Sequence, residues 1–149
     1  MPTIQFPTEF SELLRLLNEH DVKYLVVGGY AVAHHGYPRT TGDLDLWVER
    51  AEDNATRIVT AVREFGFDVP ALDPSLFVGE DQIVRMGRPP LQVEILTTAS
   101  GVEFPVCYDK RVIDTLGGAE ASIIGLDCLK KNKRASGRHK DLSDLENLP

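Results

Sequence analysis

Residues 28–46, GGYAVAHHGYPRTTGDLDL, carry the clearest structural pattern of this chain. Its glycine pair directly follows an apolar run, and its two carboxylates, Asp43 and Asp45, stand one residue apart inside a second apolar run. Side chains alternate along a strand, so the two acids point to one face with Cα atoms roughly 6–7 Å apart. Two acids on one face are costly to desolvate unless a cation or a basic partner joins them. The pattern therefore predicts an anionic site on one face of a sheet.

The residues before the two acids favour an anion-binding site. Gly28 and Gly29 would offer backbone N–H groups to a phosphate, although a tight strand-to-helix turn without a ligand explains them as well. Arg39, in the loop before the acids, is expected either to bind a phosphate bidentately or to be an exposed loop arginine. A phosphate cradle followed by a carboxylate pair is what a metal-dependent phosphoryl-transfer site needs.

A third acid, Glu94, is isolated in the apolar run at 91–96 and needs a partner. If its strand lies beside the strand of the two aspartates, Glu94 joins them as a third carboxylate. The alternative is a salt bridge to Arg85 or Arg88 across the hairpin that the turn at 87–90 predicts. Three carboxylates make a hard oxygen cluster of the kind that Mg²⁺, or Mn²⁺, prefers.

An apolar strand, a glycine pair, thirteen further residues and then Asp43-Leu44-Asp45 resemble the signature of the nucleotidyltransferase superfamily. That superfamily includes DNA polymerase β and the small antibiotic nucleotidyltransferases. The resemblance implies a minimal nucleotidyltransferase fold and an NTP substrate. It also implies that the glycine pair and Tyr30, which follows it, lie against the nucleotide.

The resemblance also implies roles for the three acids. Asp43 and Asp45 would hold the metal ions that bind the triphosphate, and Glu94 would ligate the second metal or take the proton of the acceptor hydroxyl. Two such ions roughly 3.5–4 Å apart could clamp the attacking and leaving oxygens of an in-line displacement.

The C-terminal tail at 125–149 carries a second resemblance. Its sequence, GLDCLKKNKRASGRHKDLSDLENL, is similar to the tail of a bacterial group of small proteins assigned as nucleotidyltransferases. By position, Lys133, Arg138 and Lys140 match the basic residues of that motif and are expected to bind the triphosphate or the acceptor. The alternative is a helix-turn-helix held by Arg138 or Lys140 paired with Asp141 or Asp144.

Charge is distributed unevenly along the chain. The net charge is −7, which argues against broad nonspecific nucleic-acid binding, yet residues 130–140 hold six Lys or Arg and no acid. This basic segment is expected either to meet a phosphate-bearing ligand, RNA included, or to be a solvated helix face.

Composition and length predict one soluble domain over residues 1–149. No apolar run is long enough to span a membrane, and the first ten residues do not resemble a signal peptide. Cys107 and Cys128 stand among apolar residues without a CxxC motif, so we expect free core thiols rather than a metal site or a disulfide. These observations predict a cytoplasmic protein without a membrane partner, and a homodimer is compatible with them.

Hydrophobic periodicity predicts an α/β (α+β) fold in which helices flank a mixed, partly antiparallel sheet. The predicted helices cover residues 9–20, 30–35 and 52–65, with a helical tail at 125–134 and 139–148. The predicted strands cover residues 23–27, 44–48, 82–86 and 91–96, with two short strands at 111–113 and 122–124.

Two functions are compatible with these features. The first is Mg²⁺-dependent transfer of a nucleoside monophosphate from an NTP to a hydroxyl of a small molecule, a protein or an RNA. The second is a nucleotide-binding or toxin–antitoxin-type regulatory module on the same fold, without turnover.

Overall fold

The computed structural model describes residues 6–39 and 41–149 of the chain. Residues 1–5 lie outside the described part, and with them half of the ten-residue segment that does not resemble a signal peptide. So does Thr40, one residue of the loop predicted before Asp43.

Helices and strands are interspersed along the described chain, and a 3₁₀ turn at Pro74–Phe77 follows the third helix. The helices are α1 (Thr8–Glu19), α2 (Gly28–His34), α3 (Glu52–Phe65), α4 (Phe104–Asp109), α5 (Leu126–Ser136) and α6 (His139–Asn147). The strands are β1 (Tyr24–Val27), β2 (Asp43–Val48), β3 (Ile83–Arg88), β4 (Leu91–Leu96), β5 (Val112–Leu116) and β6 (Ala119–Ile123).

The six strands form one open, mixed sheet in the order β3-β4-β2-β1-β6-β5. Strand β2 runs antiparallel to β1 and parallel to β4, and β3 pairs with β4 as the predicted antiparallel hairpin. The apolar strand β1 is central, as its uniformly hydrophobic sequence predicts, because both of its faces are buried. The α/β fold with a mixed, partly antiparallel sheet is thus confirmed.

The helices follow from local sequence signals. In α1, Phe10, Leu13, Leu14 and Leu17 recur at helical spacing and are all buried. Helix α3 ends at Gly66, whose φ of +119° suits a residue without a Cβ atom. No helix in the described ranges is both long and apolar enough to cross a membrane.

The segment between β4 and α5 corrects one prediction. Cys107 and Cys128 are buried and joined in a disulfide, so the prediction of free thiols is wrong. The short helix α4, which the sequence pattern did not predict, brings Cys107 to α5, where the two Cα atoms lie 5.9 Å apart. This separation is within the range that a disulfide spans. The expectation of a reducing compartment loses the support that free thiols gave it.

Candidate active site

The carboxylates lie on one face of the sheet formed by β2, β4 and β3. Residues paired across neighbouring strands share a face, and every second residue along a strand returns to it. The register therefore builds three successive rungs on this face, which we call the carboxylate face. The first rung is Asp43, Gln92 and Gly87; the second is Asp45, Glu94 and Arg85; the third is Trp47, Leu96 and Ile83.

Asp45 is at the centre of this arrangement. Partial burial, the charge of Glu94 and the charge of Asp43 together raise the pKa of Asp45 to about 6, although the ammonium groups of Lys140 and Lys133 oppose the shift. Gly28, at the beginning of α2, has a φ of +69°, and a Cβ atom there would collide with Oδ2 of Asp45. The glycine thus leaves the space that the Asp45 carboxylate occupies.

The next two residues of α2 pack closely against their surroundings. A Cβ atom at Gly29 would lie 2.6 Å from Oγ1 of Thr41, so only glycine fits here without displacing the loop before β2. Tyr30 is buried, and its ring packs edge-to-face on Phe6 with centroids 4.9 Å apart. Burial and the charge of Asp43 raise the pKa of the Tyr30 phenol. The Tyr30 ring is therefore part of the core beside the aspartates.

Glu94 shares the second rung with Asp45, as the three-carboxylate prediction requires. It also forms the salt bridge that the alternative predicted, because Nε of Arg85 donates to Oε1 of Glu94 at 3.0 Å. The partner is Arg85 and not Arg88, which pairs in register with Leu91. More than half of the Arg85 side chain is exposed, so the ion pair lies at the surface of the face.

Which of these residues could hold a metal follows from their chemistry. Asp43 and Asp45 supply hard oxygen ligands, and the pKa of Asp45 is raised first by burial and then by the charges of Glu94 and Asp43, all of which a divalent cation would offset. Across residues 6–39 and 41–149, no group of three or more His, Cys, Asp or Glu side chains gathers closely enough to hold a metal ion. The aspartate pair therefore fits a metal, whereas Glu94 is occupied by Arg85.

The loop arginine has a structural partner. Nε and Nη2 of Arg39 donate to the two carboxylate oxygens of Asp144 in α6, at 2.9 and 3.0 Å. The Asp144 side chain is almost fully buried. Arg39 does form a bidentate ion pair, but with this internal carboxylate, and it is not an exposed loop residue.

Lys133 is likewise committed to buried carboxylates. Its ammonium group contacts Oδ1 of Asp141 at 3.1 Å and Oδ2 of Asp144 at 3.0 Å, and all three residues are buried. Burial opposes ionisation of Asp141, but hydrogen bonds from Arg138, Ser136 and Lys133 outweigh it and hold the Asp141 pKa well below its usual range. We call Arg39, Lys133, Asp141 and Asp144 the buried ion network.

Two cations of the tail remain available on the surface. Arg138 donates to Asp141 across the N-terminus of α6, yet its side chain is 68% exposed. Its pKa is raised by the hydrogen bond to Asp141 and, more weakly, by the charges of Asp45 and Glu94. Lys140 is exposed and acts on the Asp45 pKa. The turn between α5 and α6 therefore lies within electrostatic range of the carboxylate face.

The buried residues of α6 are the two aspartates Asp141 and Asp144. Leu148 is buried, but Leu142 is 47% exposed, while Asp141 and Asp144 point inward. The signal was present in the sequence, because residues 141, 144 and 148 recur at helical spacing opposite a lysine and an arginine that could neutralise them.

Two solved structures resemble this fold. A Thermotoga maritima protein described as a "putative nucleotidyltransferase" aligns with a TM-score of 0.63 and 19% identity, over 92% of this chain and 88% of its own. An antigenic nucleotidyltransferase-like protein from Paracoccidioides brasiliensis aligns with a TM-score of 0.53 and 19% identity, over 92% of this chain and 70% of its own. No protein-family model and no curated protein matches the sequence.

The chain therefore has a nucleotidyltransferase-like fold. Strand β2, which contributes Asp43 and Asp45 to the carboxylate face, lies in the stretch of sequence that carries the resemblance to that superfamily.

Proposed function

We propose that the protein is a metal-dependent nucleotidyltransferase that moves a nucleoside monophosphate from an NTP to a hydroxyl group. The observation that carries the proposal is the second rung, in which Asp45 lies beside Glu94 while Asp43 precedes it on the same face. Gly28 leaves space for the Asp45 carboxylate, so the glycine pair and the acids form one local unit. A fold can serve several functions, so this site has to carry the argument.

The aspartates have the role of metal ligands. Asp43 and Asp45 would hold Mg²⁺ or Mn²⁺, which when bound neutralises charge on the triphosphate and on the leaving pyrophosphate. The first N–H groups of α2, at Gly28 and Gly29, have no partner within the helix and are available to a phosphate oxygen. Arg138 and Lys140 supply positive charge from the turn between α5 and α6.

Glu94 has a different role in this proposal. The acceptor oxygen attacks the α-phosphorus and forms a new O–P bond, while the bond from that phosphorus to the bridging oxygen of pyrophosphate breaks. The proton of the acceptor hydroxyl passes to the Glu94 carboxylate, which Arg85 orients while the site is free of substrate.

Two residues have a structural role in this proposal in place of the phosphate binding expected of them. Arg39 and Lys133 were expected to bind phosphate, but both are occupied by buried carboxylates, so we assign them to the architecture of the site. Phosphate binding by the tail is left to Arg138 and Lys140.

Replacing Asp45 by asparagine tests the proposal. The protein is incubated with α-labelled NTPs, Mg²⁺ and a cell extract, and transfer of label to any acceptor is measured. Asp45→Asn should lower transfer at least about 100-fold, because metal ligation is worth several kcal/mol of transition-state stabilisation. Asp109→Asn, at an exposed position at the end of α4, is the matched control and should leave transfer unchanged. Equal transfer by Asp45→Asn and the parent protein would refute the assignment.

One observation favours a second candidate, a nucleotide-binding or regulatory module without turnover. The Arg85 side chain forms a salt bridge with Glu94, and the described residues contain no group of three or more side chains that could hold a metal ion. A protein that only binds nucleotide needs no free third carboxylate. Saturable NTP binding together with an absence of label transfer, in the same extract assay, would favour this module over the enzyme.

A further inference from the structure

The third rung of the carboxylate face is apolar, whereas the second rung is charged. Trp47, Leu96 and Ile83 follow the charged second rung on all three strands, one side-chain period further along. An apolar strip therefore borders the acids directly. Ile83 is half exposed, so the strip is open to solvent at the β3 edge of the sheet.

Two cavities adjoin this apolar strip. One of about 510 Å³ is lined by Trp47, and one of about 280 Å³ is lined by Leu96 and Ile83. Thr98 and Ala99 line both, so the two cavities are neighbours around the loop that follows β4. Their sizes are in the range of sites for small molecules, and we call the two together the rung-three cavity.

The charge of this cavity is strongly one-sided. Four carboxylates line it, against a single guanidinium from Arg50; they are Glu49, Glu80, Asp81 and Glu103. Arg50 already faces Glu80 at 3.6 Å, and the ammonium group of Lys23 lies 3.7 Å from Glu49. Glu103 has no ion-pair partner among the described residues. The lining thus favours a positively charged occupant and disfavours a polyanion.

A second, independent feature points to a ligand. Trp47 is 98% buried, lines the larger cavity, and its indole N–H has no hydrogen-bond acceptor among the described residues. Its ring lies edge-to-face against Phe104, which lines the same cavity. A buried donor without an acceptor is costly, and because its nitrogen is closed to solvent, the Trp47 ring must shift slightly before an oxygen atom of a ligand can satisfy it.

We propose that the rung-three cavity binds the acceptor, and that the acceptor is a small cationic molecule with an apolar part and a hydroxyl group. This inference deepens the proposed function and rests on it for the role of the occupant. The apolar part lies on the strip of Trp47, Leu96 and Ile83, the cation faces the carboxylates, and the hydroxyl group is directed toward Glu94 on the neighbouring rung. An RNA acceptor is disfavoured because its phosphates would meet four carboxylates.

Trp47 provides a direct readout, because it is the single tryptophan of the chain. Its fluorescence is followed while the whole protein is titrated with three probes of nearly the same shape: tyramine as the cation, N-acetyltyramine as the neutral form, and 4-hydroxyphenylacetate as the anion. Tyramine should bind about tenfold more tightly than the neutral probe, as expected for one charge pair in a partly screened cavity, and the anion should bind more weakly still.

Glu103→Gln should reduce the preference for tyramine over the neutral probe, and Glu52→Gln, a similarly exposed residue of α3 away from the cavity, should not. The inference is overturned if no probe gives a saturable change, if the three bind equally, or if Glu103→Gln leaves the preference intact. A fluorescence change with a short RNA at low salt, without one for tyramine, would overturn it in favour of an RNA surface. The titration needs neither NTP nor metal, so label transfer without probe binding would refute this inference and leave the proposed function standing.

Discussion

Replacing Lys133 by methionine tests the buried ion network most directly. The lysine is 3% exposed, and its ammonium group is shared between Asp141 and Asp144 at 3.1 and 3.0 Å. Removing one partner of a buried ion pair typically costs about 3–5 kcal/mol, because a charge is left uncompensated in the interior. Each aspartate here keeps an arginine, Arg138 or Arg39, so we expect the lower end of that range, about 3 kcal/mol.

Urea unfolding followed by Trp47 fluorescence measures this loss at neutral pH. For a chain of this size, about 3 kcal/mol corresponds to a fall in Tm of roughly 6–12 °C. Lys131→Met, two residues earlier on an exposed face of α5, is the matched control and should stay within about 0.5 kcal/mol of the parent.

The pH dependence of the same pair of proteins separates the network from simple packing. The Asp141 pKa is held below its usual range, so its stabilisation is present above about pH 4 and is lost as the pH falls further. The difference between the parent and Lys133→Met should therefore shrink in acid. A loss below about 1 kcal/mol at neutral pH, or a loss that does not change with pH, would refute this account of the network.

Three further predictions concern the carboxylate face. Gly28→Ala should lose about 1–2 kcal/mol of stability because its left-handed backbone is strained, and it should lose nucleotide binding because the new Cβ displaces Asp45. Gly66→Ala is the control: its backbone is also strained, but no atom lies within 4 Å of the new Cβ, so it should keep nucleotide binding. Calorimetry measures the binding of both variants. The Asp45 pKa of about 6 lies above its unfolded value, so the free energy of unfolding should fall as the pH rises from about 4 to about 6, and Mn²⁺ binding should strengthen over the same rise. Asp45→Asn should be roughly 1–2 kcal/mol more stable than the parent protein at pH 7 in urea unfolding. No gain in stability would contradict the burial and crowding of charge at this residue. Arg85→Gln should tighten Mn²⁺ binding about two- to fivefold by releasing Glu94, since an exposed ion pair is worth up to about 1 kcal/mol; weaker Mn²⁺ binding in a titration would show that Arg85 supports the site.

The sequence was most informative where local rules act alone. The apolar run before Gly28 and the alternation of acids at Asp43 and Asp45 depend only on strand geometry, and the structure has both strands as predicted. The hairpin of β3 and β4 followed from its turn residues, whereas the parallel pairing of β4 with β2, which brings Glu94 onto the rung of Asp45, was predicted only as a condition for a third carboxylate. The geometry of the carboxylate face was therefore largely predictable.

Features that depend on distant contacts were not predictable in this way. Helix α4 is six residues long and has a proline as its second residue, so it has too few turns to show a helical periodicity in the sequence. The disulfide joins residues that only the packing of α4 on α5 brings together. Arg39 and Lys133 read as phosphate ligands in the sequence because their buried carboxylate partners lie 105 residues away in one case and on another helix in the other.

The ion pairs of Arg39 and Lys133 with buried carboxylates determine which cations are left at the surface of the site. With Arg39 and Lys133 paired to buried carboxylates, the surface cations near the acids are Arg138 and Lys140 on the turn between α5 and α6, together with Arg85 at the β3 edge, while the buried Lys133 still acts on the Asp45 pKa. Burial and the charges of Glu94 and Asp43 nevertheless keep the Asp45 pKa raised, so the nearby lysines offset these effects only in part.

The carboxylate face thus has a negative centre and a positive rim, which is complementary to a metal-bound phosphate, itself positive at the metal and negative at the outer oxygens. This polarity serves a nucleotide binder and a transferase equally well, because it acts on the bound nucleotide in either case. The two functions differ in what Glu94 does. Held by Arg85 it only balances charge, whereas released it becomes the proton acceptor that lies beside the apolar strip of the third rung.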